Sequence, residues 1–148
     1  MGMFDMPFSV WKMEMGGNGI RGQLGTLSTN LVVCDVSRNN LSGELPSLPA
    51  TLQYFNLYVN QFTGPIHTFP ENLKSFGAYN NFFSGSLPEI PSVMEYLVVP
   101  GMDISGLLED ALQPNLILAD LSDTAITGSF PEILSQSCLL YTSPSPRD

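Results

Sequence analysis

Leu52-Gln53-Tyr54-Phe55-Asn56-Leu57-Tyr58-Val59-Asn60-Gln61-Phe62-Thr63-Gly64-Pro65-Ile66 is the stretch that decides the fold. In Phe55-Asn56-Leu57 apolar and polar side chains alternate, the pattern of a short strand with one buried face. The apolar positions Leu52, Phe55, Leu57, Phe62 and Ile66, with Asn60 and Gly64 between them, return at an offset of 21 residues in both directions. Upstream lies Leu31, Cys34, Val36, Asn39, Leu41, Gly43, Leu45; downstream lies Leu73, Phe76, Ala78, Asn81, Phe83, Gly85, Leu87, followed by Met94, Leu97, Val99, Met102, Ile104, Gly106, Leu108. Two weaker copies flank these. Val10, Met13, Met15, Asn18, Ile20, Gly22, Leu24 precedes them, and Leu116, Ala119, Leu121, Thr124, Ile126, Gly128, Phe130 follows after a step of 22. Six copies at a nearly constant short period signal a solenoid, in which each repeat is too small to bury its own apolar side chains and depends on its neighbours.

The residue types explain how one repeat folds. Strands such as Phe55-Asn56-Leu57 stack side by side at about 4.8 Å into a parallel sheet. The chain must then turn back, and an Asn amide at the ninth position can bond backbone groups that the sheet leaves unpaired. Asn18, Asn39, Asn60 and Asn81 form that expected ladder, which Met102 and Thr124 interrupt. Thr keeps a hydroxyl for the turn and Met does not, so Pro100-Gly101-Met102 is predicted to be the least regular turn. Glycines from Gly22 to Gly128 stand where a side chain would restrict the turn. Pro46, Pro65, Pro88 and Pro131 favour extended return segments over helices.

This pattern resembles the leucine-rich-repeat family, whose core L-x-x-L-x-L-x-x-N-x-L is extended here by x-G-x-[IL]-P as in its plant-like extracellular class; Leu41-Ser42-Gly43-Glu44-Leu45-Pro46 carries the extension. Leu45–Leu52 and Leu87–Met94 resemble the short, Pro-rich connectors of bacterial-type repeats. The resemblance covers about Val10 to Pro131. It implies a solenoid of the α/β horseshoe class, mostly β here, with a curved parallel sheet on the concave face. Extended or short 3-10 return segments and little helix are expected on the convex face. Residues 1–9 then read as an incomplete flank and 10–137 as about six repeats, with no cap at either end. The tail Cys138–Asp148 resembles translated sequencing-adapter read-through, because it back-translates into a transposase adapter, and is set aside.

Composition narrows the function. A formal charge of −9 with only five Lys and Arg residues argues against nucleic acid, whose binding depends on cations that replace condensed counterions. No segment holds the roughly 20 consecutive apolar residues of a membrane span, and Met1-Gly2-Met3-Phe4-Asp5 lacks the order of a secretory signal. Cys34 and Cys138 have neither disulfide-framework nor metal-ligand spacing. His67 is the only histidine and has no nucleophile motif beside it; Cys34 occupies an inward position. Neither an enzyme site, a metal site nor a cofactor is expected.

On such a scaffold, binding belongs to the concave sheet face, where outward positions of successive strands form columns. The third position reads Lys12, Val33, Tyr54, Ser75, Tyr96, Leu118, and the fifth Glu14, Asp35, Asn56, Gly77, Val98, Asp120; the seventh and eighth bring Tyr58, Tyr79 and Arg38. The candidate ligand-binding residues are therefore Tyr54, Asn56, Tyr58, Tyr79, Tyr96, Asp35, Arg38 and Asp120. Exposed tyrosines are common interface anchors, but they also stabilise sheets as cross-strand packing partners, and both readings stand. Asp35, Asp120 and Asp123 suggest an acidic patch, although solvated surface charge is the ordinary state of an acidic protein. Asn40-Leu41-Ser42 is a glycosylation sequon that points weakly to secretion. The resemblance implies a protein or peptide partner and an extracellular or cell-surface setting, in a receptor-like or secreted protein. Two alternatives are repeats of a longer enzyme such as a receptor-like kinase, and an intracellular interaction module. Oligomeric state is not legible.

Overall fold

The structure, a computed structural model, describes residues 7 and 9–129 and the backbone of 139–141. Its elements in chain order are β1 (Lys12–Glu14), β2 (Arg21–Gly22), β3 (Val33–Asp35), β4 (Asn40–Gly43), β5 (Tyr54–Asn56), β6 (Gln61–Gly64), β7 (Ser75–Gly77), β8 (Phe82–Ser86), β9 (Tyr96–Val98), β10 (Asp103–Leu107), α1 (Leu108–Ala111), β11 (Leu118–Asp120), β12 (Ala125–Thr127) and β13 (Leu139–Tyr141). The odd-numbered strands form one parallel sheet in sequence order, with Tyr54 opposite Val33 on one side and Ser75 on the other. This is the parallel β-solenoid of leucine-rich-repeat structures, almost without helix. The strand partners follow the 21-residue offset through β9 and absorb the step of 22 between Tyr96 and Leu118. The backbone of β13 lies beside β11 at the same spacing, Leu118 opposite Leu139; the rest of the segment 130–148 lies outside the described residues.

The even-numbered strands form a second parallel sheet of six strands in order β12-β10-β8-β6-β4-β2. The return segments are extended with little helix, as expected, and they also pair with one another. The residues after each ninth-position Asn, such as Gln61-Phe62-Thr63-Gly64, pair with the next repeat because their backbone groups meet identical groups one step away. β2, β4 and β6 end at glycines with positive φ; at Gly64 (φ 80) an added Cβ would also meet Glu44 Cγ at 2.7 Å. The helical turn α1 sits in the repeat that carries the extra residue.

Core side chains stack in columns that run through the repeats. Leu31, Leu52, Leu73, Met94 and Leu116 form one; Cys34, Phe55, Phe76, Leu97 and Ala119 a second; Val36, Leu57, Ala78, Val99 and Leu121 a third, and all are buried. Phe62 stacks on Phe83 with ring centroids 6.1 Å apart, and Phe76 meets Phe55 and Phe69 edge-on. A further inward column, Leu27, Phe69, Ile90 and Ala111, comes from the connectors. It was not expected to be core. Before each strand an i-to-i+3 turn closes on a carbonyl at one recurring position, that of Pro49 for Leu52, Pro70 for Leu73 and Pro91 for Met94.

Asn39, Asn60 and Asn81 are buried and bridge neighbouring repeats. Asn60 Nδ2 donates to Leu57 O (3.0 Å) in its own repeat and to Val36 O (2.9 Å) in the preceding one, while Oδ1 accepts from Leu41 N (3.0 Å). Asn81 repeats this on Ala78 O, Leu57 O and Phe62 N. Asn18 holds the ladder position but is exposed: it bonds Met15 O and Gly16 O within its own turn, and no repeat precedes it among the described residues. Thr124 Oγ1 retains the turn-closing bond, to Leu121 O at 2.7 Å. The turn at Pro100-Gly101-Met102 departs from its neighbours as expected. Arg38 and Asn39 donate their N–H groups to Tyr58 O and Val59 O, and Val59 and Asn60 theirs to Tyr79 O and Asn80 O, but among the described residues Asn80 and Asn81 make no such bonds to Pro100 O and Gly101 O. Met102 is buried, Gly101 has positive φ as the residue at that position does in neighbouring repeats, and its N–H bonds Ser122 O at 2.8 Å. The left-handed residue and its bond to the following repeat thus persist where the amide is lost. A second ladder bridges repeats ahead of the strands. Thr51 Oγ1 donates to Thr29 O and Leu31 O, Asn72 Nδ2 to Ala50 O, and Asn115 Nδ2 to Ser92 O.

Leu57 is fully buried at the centre of the solenoid, so Leu57→Ala is expected to destabilise the fold by about 2 to 5 kcal/mol in urea unfolding, and an unchanged midpoint would contradict its placement. Asn60→Ala leaves the buried Leu41 N–H without a partner and removes one of the two donors at Leu57 O and at Val36 O, which keep Asn81 and Asn39. It is expected to cost about 1 to 3 kcal/mol, against less than about 1 kcal/mol for Asn18→Ala, and equal losses would show that the bridge between repeats adds nothing.

Candidate functional site

Alternation along three-residue strands sends the middle residue inward and the outer two to the concave surface. That face consequently carries the third- and fifth-position columns anticipated from the sequence: Lys12, Val33, Tyr54, Ser75, Tyr96 and Leu118 in one, Glu14, Asp35, Asn56, Gly77, Val98 and Asp120 in the other. Just beyond each strand the chain turns through a residue in the left-handed region. These are Gly17, Arg38, Val59, Asn80, Gly101 and Asp123, one per repeat. All six hold the eighth repeat position, and three of them are Gly or Asn, the types that adopt this conformation most readily.

The four tyrosines separate into two pairs with different environments. Tyr58 and Tyr79 lie on adjacent repeats and stack with centroids 4.7 Å apart and planes within 4° of parallel. The Arg38 guanidinium carbon lies 5.7 Å from the Tyr58 ring centre, so an arginine ends this stack. This pair satisfies the packing alternative, because the strand spacing matches a stacking distance. Tyr54 and Tyr96 have no ring contact among the described residues and are 42% and 39% exposed. Between them in the same column stands Ser75.

Polar side chains hold four of the six fifth-column positions, those of Glu14, Asp35, Asn56 and Asp120. Asp35 Oδ1 accepts from Ser37 N (2.9 Å), and its Oδ2 accepts from Asn56 Nδ2 (3.3 Å). This holds the Asn56 amide with its oxygen over Gly77, where a Cβ would approach Oδ1 to 2.8 Å. Asp120 Oδ1 accepts from both the N–H and hydroxyl of Ser122. Three strands separate Asp35 from Asp120, about 19 Å at about 4.8 Å per strand. The acidic patch expected from Asp35, Asp120 and Asp123 is therefore not one patch, and Asp35 belongs with Asn56. At the other end, Lys12 and Glu14 pair at 3.1 Å.

The residues with nucleophilic or acid–base chemistry lie elsewhere. Cys34 points into the core, and burial, with a smaller contribution from neighbouring Asp35, pushes its thiol up to about 12, so it stays protonated and inert. His67 is exposed on a return segment, 3.9 Å from Glu44. It lines a convex-side groove of about 650 Å³ together with Phe69, Glu71, Pro88, Glu89 and Pro91. No group of His, Cys, Asp and Glu able to hold a metal occurs among the described residues. Asn40 opens β4 at the surface, with Ser42 of its sequon in the same strand.

Comparison with known proteins places this architecture. Residues 30–52 match the Leucine Rich Repeat family model. Among curated proteins none matches the chain. Among solved structures it is similar to the plant peptide hormone receptor RGFR1 in complex with RGF2, with a TM-score of 0.71 and 21% identity over 92% of this chain and 29% of that one. It is also similar to the BIR2 ectodomain from Arabidopsis thaliana (TM-score 0.60, 25% identity, 84% of this chain and 71% of that one). A third similar structure is a TDR receptor (TM-score 0.59, 23% identity, 90% of this chain and 31% of that one). The chain thus spans less than a third of the length of two of these three proteins.

Val59, with φ 57, is the one β-branched residue in the left-handed column. Val59→Asn is expected to stabilise the fold by about 1 kcal/mol in urea unfolding, because Asn adopts this conformation with less strain; a loss of stability would mean that packing of the valine outweighs it.

Proposed function

We propose, from the premise that this chain is a leucine-rich-repeat solenoid, that its concave sheet is a binding face for a protein or peptide. The supporting observation is the placement of Tyr54 and Tyr96: two large side chains, each about two-fifths exposed, on rigid strands either side of a small residue. Rigid tyrosines offer contact area at a low entropic cost on binding, and their hydroxyls give direction. Tyr58, Tyr79 and Arg38 form a firm rim beside them, and Asn56, with Asp35 behind it, supplies an oriented amide.

RGFR1 is a peptide hormone receptor solved with RGF2, which favours a peptide partner for a scaffold built alike. The chain acts as the recognition segment of a larger receptor-like or secreted protein and catalyses no reaction itself. An extracellular or cell-surface location agrees with the ectodomain neighbours and with the exposed Asn40 as a glycan acceptor. No helix among the described residues is long and apolar enough to cross a membrane.

Panning a displayed random-peptide library against the 148-residue chain tests this reading. Enriched peptides should lose at least about tenfold in affinity when Tyr54 and Tyr96 are both replaced by Ser, and should be unaffected by Phe82→Ser on the second sheet. Peptides that respond only to Phe82→Ser would move the binding surface to the other sheet.

A further inference from the structure

The gap between Tyr54 and Tyr96 has a definite width. Adjacent repeats stack Tyr58 on Tyr79 at 4.7 Å, so the same step taken twice sets the Tyr54 and Tyr96 positions about 9.5 Å apart, with Ser75 beneath the midpoint. A flat group entering there lies about 4.7 Å from each ring, a normal stacking separation. With both rings upright on their strands, this spacing admits one planar side chain.

Its floor is polar. Gly77 has no side chain, and Asn56 Oδ1 occupies the space above it. The Asn56 Nδ2 end is bound by the Asp35 carboxylate at 3.3 Å, so the free end facing the slot is an acceptor. No donor meets that oxygen among the described residues, nor does the Ser75 hydroxyl take part in a hydrogen bond there. An aromatic guest would cover these atoms without giving them partners, which disfavours it. An ammonium would satisfy the oxygen but has no plane to stack. A guanidinium is flat, cationic and rich in donors, and it lies well on tyrosine faces, as Arg38 does over Tyr58.

Charge points the same way. The concave columns hold Glu14, Asp35, Asp120 and Asp123 against Lys12 and Arg38, and the chain carries a net −9. Beside the slot, Lys74 before β7 and Glu95 before β9 cancel, which leaves Asp35, coupled through the Asn56 amide, as the charge that polarises the floor. Resting on the concave-face reading above, we infer that Tyr54, Ser75, Gly77, Tyr96 and Asn56 form a subsite for an arginine side chain of a peptide ligand, its guanidinium sandwiched between the two tyrosine rings and bonded to Asn56 Oδ1.

The test titrates the whole chain, tyrosine-labelled for NMR, with acetyl-Gly-Arg-Gly-amide and with its Lys and Phe counterparts at up to ~10 mM, above the dissociation constant of a weak single-contact ligand. The arginine peptide should shift the Tyr54 and Tyr96 ring resonances, leave Tyr58 and Tyr79 in place, and bind about tenfold more tightly than either counterpart. Ser75→Tyr, which extends the column into the slot, should abolish those shifts; if that variant does not fold, Tyr96→Ala is expected to abolish the Tyr54 shift. Asn56→Leu should remove the preference for arginine over phenylalanine. Unshifted Tyr54 and Tyr96 rings, equal binding of the three peptides, or binding that survives in a folded Ser75→Tyr protein would each overturn the subsite. Library peptides that lack arginine yet depend on Tyr54 and Tyr96 would preserve the binding face while removing the guanidinium assignment; library peptides indifferent to both tyrosines would remove the face itself.

Discussion

The repeats of this solenoid leave buried backbone groups where the strand ends and the chain turns back, and in three successive repeats the side-chain amide of Asn39, Asn60 or Asn81 resolves that deficit for two repeats at once. Asn60 bonds the turn of its own repeat, a carbonyl in the repeat before it, and an N–H at the start of that repeat's second strand. One planar group thereby fixes the position of a strand in each sheet. A constant period suits this requirement, because an asparagine that bridges two repeats must sit at the same depth in successive turns. The core columns can align their leucines and phenylalanines only because that distance is repeated.

Much of this architecture is legible in the residues because it is periodic. A column of inward Leu, Phe and Val at fixed offsets determines which strand residues face out, and the strand partners carry those columns across the sheet. Information that depends on a neighbouring repeat is harder to read. The second sheet is hidden in Gln61-Phe62-Thr63-Gly64, where a stretch too short to be a confident strand by pattern becomes one because its copy lies one step away. The left-handed column escapes notice because Arg38 and Val59 do not advertise the conformation that Gly17 and Gly101 accept readily. The second ladder has a visible signal, polar Asn30, Thr51, Asn72 and Asn115 in one column, but their geometry is needed to show what they bridge.

The tyrosines show the same limit at the candidate site. Sequence spacing gathers four of them on one face and cannot say which are spent on packing. A column offset of one repeat brings Tyr58 and Tyr79 together, while two repeats keep Tyr54 and Tyr96 apart. Equal chemistry therefore yields a closed stack in one column and an open pair in the next. The Asp35 and Asp120 carboxylates diverge for a similar reason, since residues alike in repeat position can lie several strands apart in a sheet.

The extra residue of the fifth repeat is absorbed at the turn α1, and the next strand still meets β9 residue for residue. Length variation on the convex side is thus mechanically decoupled from the concave side. Insertions and deletions in the connectors can reshape the outer contour while the spacing of the inner columns is conserved. Descent with altered loop length would then leave the recognition face free to change by substitution alone.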